Sequence, residues 1–196
     1  VVAWLAGVRA KFFIYSGVAM LALLPVAISL LKPYQKSRIL TFLNPERDPL
    51  GAGYQIIQSK IAIGSGGLFG KGFLNGSQSY LDYLPEKHTD FIYTLFSEEF
   101  GFFGSLFILL LYALIIYRII RIGGLTRSNF GKLYCYGFAT AFFIYVVVNM
   151  MMVLGLLPIV GSPLPIMSYG GSSMMAIMFG LGIVMSCKVY KDVPVY

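Results

Sequence analysis

A stretch of 55 residues, from Leu133 to Cys187, contains no Asp, Glu, Lys, Arg or His. As one straight helix it would be about 80 Å long at 1.5 Å per residue, whereas the hydrocarbon core of a bilayer is only about 30 Å thick. The stretch must therefore fold back on itself, and the prolines and glycines between residues 158 and 171 mark where. This pattern predicts two membrane-spanning helices joined by a sharp, uncharged turn.

Two further uncharged stretches precede this one, over residues 12–31 and 100–117. Each approaches the roughly 20 apolar residues that a helix needs to cross a bilayer. Charged residues make up 12% of the chain, about half the proportion of soluble domains. We therefore predict an all-α integral membrane protein that forms one membrane domain over residues 1–196. Its four transmembrane helices are expected at about 12–31, 91–117, 133–157 and 167–187.

The net charge of +7 would suit a nucleic-acid partner, but its distribution indicates membrane topology instead. Four basic residues and no acid lie between the second and third spans, while the turn at 158–167 is uncharged. The positive-inside rule then places both termini in the cytoplasm and residues 32–90 outside, as a large extracellular loop. Cys135 and Cys187 fall on the cytoplasmic side, where no disulfide is expected. The opening Val-Val-Ala-Trp, without Met, is typical of a fragment of a longer protein.

Within the loop, residues 54–63 have helical spacing of apolar side chains. The helix would lie on the outer membrane surface, or alternatively be buried in a loop subdomain. The glycine-rich segment 64–72 does not match a phosphate-binding loop of the Walker type, because Ser65 and Gly72 occupy positions that require Gly and Ser or Thr. Flexible turns are the favoured interpretation, and backbone N–H groups facing a ligand phosphate are the alternative.

The second span has one polar face. On a continuous helix starting near Asp90, polar and small residues share about a third of the circumference, and Glu99 lies opposite. We expect this face to contact protein or water, and one of the two adjacent glutamates to pair with a cation on a helix outside this chain. A helix from Asp90 to Tyr117 would be about 42 Å long, which lifts Asp90 to the outer headgroup layer. The residues of this face are Asp90, Thr94, Ser97, Glu98, Gly101, Gly104 and Ser105.

Two segments are candidates for a site. Residues 86–90 hold the densest group of titratable side chains, and such groups at a membrane boundary are functional candidates. The alternative is a solvated helix start, where the helix dipole favours Asp90. In residues 163–173, Ser168 or Ser172 is expected to cap a helix, and Gly170 with Gly171 permits close approach of backbone or ligand; the alternative is a plain extracellular turn.

Four segments, in this order, resemble the SEDS family (shape, elongation, division and sporulation), and within it the rod-shape-determining branch. They are "NPERDPLGAGYQIIQSKIAIGSGGLFGKGFLNGSQ", "LPEKHTDFIY", "SEEFGFFGS" and "GLLPIVGSPLPIMSYGGSS". The resemblance implies a ten-helix polytopic fold, of which this chain would be the C-terminal part. It also implies a peptidoglycan glycosyltransferase that polymerises lipid II at the outer face of the bacterial plasma membrane, beside a class B penicillin-binding protein and the elongation machinery.

In this resemblance Asp90 matches the family's essential carboxylate, the catalytic candidate. Positive charge for the leaving pyrophosphate would come from lysines or from a divalent cation, Mg²⁺ or Mn²⁺, that Asp90 would bind. Two other functions remain open at this point, a lipid II flippase and a non-catalytic scaffold for the transpeptidase. The expected substrate-binding residues are Lys87, His88, Thr89, Thr94, Glu98, Ser168, Tyr169, Gly170, Gly171 and Ser172.

Overall fold

The structure, a computed structural model, describes residues 2–45, 48, 51–76 and 88–190, and all regular elements within these ranges are helices. This confirms the all-α prediction for the described part of the chain. In chain order the helices are α1 (Val2–Leu5), α2 (Ala10–Leu30), α3 (Pro33–Leu43), α4 (Ala52–Ser65), α5 (Ile92–Leu125), α6 (Asn129–Val153) and α7 (Gly171–Val189).

Three helices, α5, α6 and α7, are long and apolar enough to cross a membrane. The described part of α2 contributes a shorter apolar helix, Ala10–Pro25, so the four-span count and the large extracellular loop stay predictions. Helix α5 extends eight residues beyond the predicted end at residue 117, because arginine is a good helix former. Helix α6 begins four residues early, where the Ser128 side chain accepts a hydrogen bond from the N–H of Gly131.

Helix α5 is central and packs against α4, α6 and α7. The core between them contains Tyr112 of α5 and Phe142 and Val146 of α6, all buried. Large apolar side chains such as Phe107 and Phe179 point outward and are mostly exposed. Apolar outer surfaces are expected of helices that face lipid or other helices within a bilayer. Cys135, which is buried, and Cys187, which is half-buried, are both free thiols in the structure.

The predicted helix in the loop segment is α4, and one of its faces is buried against the bundle. Ile56, Ser59 and Ala62 on one face are at most 2% exposed. The Ser59 hydroxyl donates to the carbonyl oxygen of Val153 at 2.8 Å, which joins α4 to the end of α6. Helix α4 therefore packs by one face against α5 and α6, while Ile61 on another face is 49% exposed.

The expectation of one continuous helix from Asp90 is wrong, because α5 is broken at Gly101. Its φ of 66° and ψ of −162° are non-helical, and φ in this region favours glycine. In a regular helix the N–H groups of residues 102 and 103 would bond to the carbonyls of Glu98 and Glu99. Here they bond to the carbonyls of Gly67 and Leu68, at 2.9 and 3.2 Å.

The glycine-rich loop 66–72 is a structural clamp across this break, so its interpretation as flexible turns is wrong. The N–H groups of Lys71 and Gly72 donate to the carbonyls of Glu98 and Glu99, both at 3.0 Å. The clamp thus satisfies the four backbone groups that the kink leaves without helical partners. These two N–H groups are engaged with α5, which removes the basis for a phosphate site formed by them. An added Cβ at Gly66 or Gly70 would collide with the backbone of α5.

The polar face of α5 is buried despite the kink, as expected from its composition. Thr94, Ser97, Glu98 and Ser105 are at most 8% exposed. The Ser105 hydroxyl donates to that of Ser97 at 2.8 Å, which pairs two polar groups inside the bundle. Leu95, which lies outside this polar face, is also buried.

Candidate functional site

Residues 88–90 form a turn just before α5, and three consecutive carbonyl groups of this turn accept hydrogen bonds from elsewhere in the fold. The N–H of Tyr169 donates to His88 at 2.9 Å. The hydroxyl of Ser168 donates to Thr89 at 2.5 Å, and the side-chain amide of Asn149 donates to Asp90 at 2.8 Å. The backbone of the turn is therefore fixed against α6 and the segment that precedes α7.

That segment, residues 154–170, is itself held at several points. Arg38 of α3 donates from Nη1 to the carbonyl of Ile159 at 2.8 Å. The hydroxyl of Tyr112 donates to the carbonyl of Pro165 at 2.6 Å. The N–H of Leu164 donates to the Ser168 hydroxyl at 2.6 Å. One bond from α3, one from α5 and one within the segment make this irregular segment a defined surface against which the 88–90 turn rests.

The Asp90 carboxyl group is half-buried and lies beside Gly161. A Cβ placed on Gly161 would stand 3.4 Å from Asp90 Oδ2, an ordinary van der Waals separation. Gly161 has φ of +71°, so the chain turns here in a conformation that favours glycine. The carboxylate therefore stands at the end of the bundle where α5 and α7 begin and α6 ends.

An open cavity of about 670 Å³ lies at the same end of the bundle. It brings together residues that are far apart in the sequence, His88 on one side and the segment before α7 on the other. Ser168 within this lining is nearly buried, whereas Tyr169 is 81% exposed. The lining residues are His88, Ile92, Ile166, Met167, Ser168, Tyr169, Gly170, Gly171 and Met174.

The structure thus places five of the predicted substrate-binding residues around one cavity: His88, Ser168, Tyr169, Gly170 and Gly171. Thr89 lies in the adjoining turn. Ser172 is exposed but does not line this cavity, and Lys87 lies outside the described residues.

Thr94 and Glu98 lie deeper along α5 and are fully buried. Glu98 forms an ion pair with Lys71 of the clamp, with 2.6 Å between Oε1 and Nζ. The cation expected for one of the glutamates therefore comes from the loop of this chain and not from another helix. Glu99 is half-buried, so the two glutamates occupy different environments, as the helical phase predicted.

The cap expected from Ser168 or Ser172 is wrong. Helix α7 has Gly170 as its N-cap, without a side-chain cap hydrogen bond. Ser168 is engaged with Thr89 and Leu164 instead, because the 88–90 turn supplies a carbonyl acceptor within its reach. Neither Gly170 nor Gly171 has a φ in the left-handed region, and a Cβ on Gly171 would meet nothing within 4 Å.

Two residues of this end of the bundle were not assigned a role from the sequence. Asn149 is the single strongly polar residue of the predicted third span. Because polar residues inside membrane spans often have a function, its position could have identified it as a candidate. Lys71 had no comparable signal, since a loop lysine is ordinary. Its pairing with Glu98 depends on how the loop crosses α5.

The fold and this site define a class: a helical protein in which three of the described helices are long and apolar enough to cross a membrane. At one end of its bundle a cavity opens, and Asp90 lies in the adjoining turn without lining that cavity. The model of the cell cycle proteins that groups FtsW, RodA and SpoVE matches residues 1–192. The chain belongs to this family, which confirms the resemblance seen in its motifs.

Relatives whose names state an activity support the same family assignment. The chain is 48% identical over 191 residues to the peptidoglycan glycosyltransferase MrdB of Escherichia coli K12. This alignment covers 97% of this chain and 52% of MrdB. It is 47% identical over 161 residues to the peptidoglycan glycosyltransferase RodA of Treponema pallidum, covering 82% and 37% respectively. The chain therefore spans about half, or less, of the length of these relatives.

A solved structure has the same fold. The chain matches one from a peptidoglycan synthase complex, described as coordinating polymerization and crosslinking, with a TM-score of 0.78 and 36% identity. The match covers 99% of this chain and 53% of the other. The helical architecture described above is therefore that of half of a known membrane protein fold.

Gly171→Leu is expected to lower activity without lowering stability. An added side chain has open space, so it would project towards the cavity rather than collide with the fold, and leucine is the better helix former. Gly182→Leu is a matched control, since Gly182 also lies in α7 with open space around it but away from the cavity. Glycan synthesis and thermal unfolding in detergent are the measurements. Normal synthesis by Gly171→Leu would show that the cavity does not bind substrate at this residue.

Proposed function

We propose that the intact protein is a peptidoglycan glycosyltransferase that polymerises lipid II into glycan strands during cell elongation and maintenance of cell shape. The family membership and the names of the E. coli and T. pallidum relatives support this activity. The observation that carries the proposal is the 88–90 turn. Its three carbonyl groups are held by other parts of the fold. His88 of this turn lines the cavity that opens at the end of the bundle, and Asp90 follows two residues later.

The chemistry of lipid II suits a single carboxylate. Its undecaprenyl pyrophosphate, on the anomeric carbon of the sugar, leaves as a stable anion, so the leaving group needs no strong acid. The attacking sugar hydroxyl needs a base, and we assign this role to Asp90. As the new bond forms and the bond to pyrophosphate breaks, the anomeric carbon inverts, which turns the α-linked donor into a β-linked glycan.

The leaving pyrophosphate also needs positive charge nearby. Lys71 is already paired with buried Glu98, so it is a poor candidate among the loop lysines, and Lys87 remains the nearest one in sequence. Among the described residues no three His, Cys, Asp or Glu side chains form a metal-binding group. One carboxylate is nevertheless sufficient for Mg²⁺ or Mn²⁺ when substrate phosphates supply further oxygens. In the alternative in which such an ion supplies the positive charge, Asp90 would hold it and would not act as the base, because the attacking hydroxyl and the leaving pyrophosphate lie on opposite faces of the anomeric carbon.

The solved complex, which coordinates polymerization and crosslinking, supports a crosslinking partner. We propose a class B penicillin-binding protein for this role, within the elongation machinery of a bacterial plasma membrane. The decisive assay is polymer formation from purified lipid II by the intact protein with this partner. Glycan strands are expected on a gel. Transport of lipid II without polymer would support a flippase, and neither activity would support a scaffold.

The cavity is expected on the outer side of the membrane, because the acid-free loop with Arg118 and Arg127 belongs inside. Cysteines at two exposed positions, Asn75 and Asn129, test this in spheroplasts of cells whose native Cys135 and Cys187 are replaced by serine. An impermeant thiol reagent should label Asn75→Cys, and Asn129→Cys only after lysis. The reverse pattern would invert the topology and exclude external chemistry.

A further inference from the structure

Asn149 joins the two backbone segments that flank the Asp90 carboxylate. It lies near the end of α6 and is fully buried. Its side-chain Nδ2 donates to the carbonyl oxygen of Asp90 at 2.8 Å and to that of Ser162 at 2.6 Å. Ser162 follows Gly161, the residue beside Asp90 Oδ2. The side-chain amide of Asn149 therefore sets the distance between the 88–90 turn and the turn at Gly161 and Ser162, which lies beside the Asp90 carboxylate.

The chemistry of the two neighbours determines which way the amide points. Both are carbonyl oxygens, which only accept hydrogen bonds, so the NH₂ end must face them and the oxygen must face away. The carbonyl end of the amide, Oδ1, is buried and has no hydrogen-bond partner within the described chain. Both donor hydrogens of this buried amide therefore go to the two carbonyls, so the side chain joins the two backbone segments to which they belong.

We propose that Asn149 is a positioning residue for the glycosyl transfer. It holds the Asp90 carboxylate at the distance from the attacking sugar hydroxyl that proton removal requires. This inference rests on the proposed function of Asp90. The neighbouring carbonyls of the turn, on His88 and Thr89, are held by residues 168 and 169. The bond from Asn149 reaches residue 90 itself and ties its carbonyl group to α6.

Asn149→Leu is the direct test in the intact protein with its transpeptidase partner. Leucine has the same branched shape, with larger methyl groups, but no donor, so the turn loses its link to Ser162 while the cavity keeps its lining. We expect kcat for polymerisation of lipid II to fall about 10- to 100-fold, as for a small displacement of a catalytic group, with KM changed less than about twofold. In an Asp90→Asn background the same substitution should not lower the residual rate further, because a positioning residue acts only through Asp90.

Asn149→Asp covers the case in which the leucine variant does not fold. It keeps the shape of the side chain but has at most one proton to offer to the two carbonyls, so a similar fall in kcat is expected. Ser59→Ala is the matched control. It also removes a buried hydrogen bond to a carbonyl of α6, but one that does not touch the 88–90 turn, so kcat should stay at the wild-type value.

The outcomes separate this inference from the function on which it rests. Loss of polymer in Asp90→Asn together with normal kcat in a folded Asn149 variant rejects the positioning role alone. Normal polymer in Asp90→Asn rejects both. Three other outcomes would also overturn the proposal. A rise in KM at constant kcat, or a further loss of rate in the Asp90→Asn background, would make Asn149 a substrate-binding residue. Failure of both Asn149 variants to fold would make it a folding residue.

Discussion

Asp90→Asn is expected to reduce glycan synthesis from lipid II by about 10²–10⁴-fold, the usual contribution of a positioned general base. The substitution removes basicity and negative charge but keeps the size of the side chain. It also keeps the backbone carbonyl to which Asn149 donates, so the turn should remain in place. The measurement is glycan formation on a gel by the intact protein with its partner.

Two controls accompany this variant. Co-purification of the transpeptidase and an unchanged unfolding temperature would show that the loss concerns chemistry and not assembly. His88→Ala should cost much less, because the hydrogen bond that holds residue 88 uses its carbonyl group and survives the substitution. Near-normal polymer from Asp90→Asn would contradict the assignment and favour the scaffold or the flippase.

Lys71→Met is expected to produce the largest loss of stability. It removes the ammonium group 2.6 Å from the fully buried Glu98 carboxylate, and loss of one partner of a buried ion pair costs about 3–5 kcal/mol. The Lys71 side chain keeps 29% of its surface exposed, so we expect the lower part of this range. The clamp would loosen at the kink of α5, just below the Asp90 turn. Thermal unfolding of the intact protein in detergent measures the effect.

A second substitution separates charge from packing. Adding Glu98→Gln to Lys71→Met removes the uncompensated buried charge and should restore much of the lost stability. Lys36→Met is the control, since Lys36 is an exposed lysine of α3. If Lys71→Met unfolds at the wild-type temperature, the ion pair does not stabilise the clamp.

The class of protein was predictable from the sequence. Helical spans can be predicted from the local count of apolar residues, because each residue contributes its own free energy of transfer into hydrocarbon and a charged residue makes that free energy strongly unfavourable. Asp90 and residues 163–173 were recognisable for a related reason: polar and glycine-rich motifs beside apolar spans are conspicuous. The polar face of α5 was also predictable, since helical phase survives a single kink well enough to keep Thr94, Ser97 and Glu98 buried.

The arrangement of the site depends on contacts between distant parts of the chain. Asn149 and Asp90 are separated by 59 positions, Ser168 and Thr89 by 79, and Lys71 and Glu98 by 27. Local patterns suggested a flexible glycine loop and a serine cap, and both were wrong because a distant backbone offered better hydrogen-bond partners. A kinked helix exposes N–H and carbonyl groups that must be satisfied. Only the tertiary structure shows that loop 66–72 satisfies them, and that Asn149 holds the turn that carries Asp90.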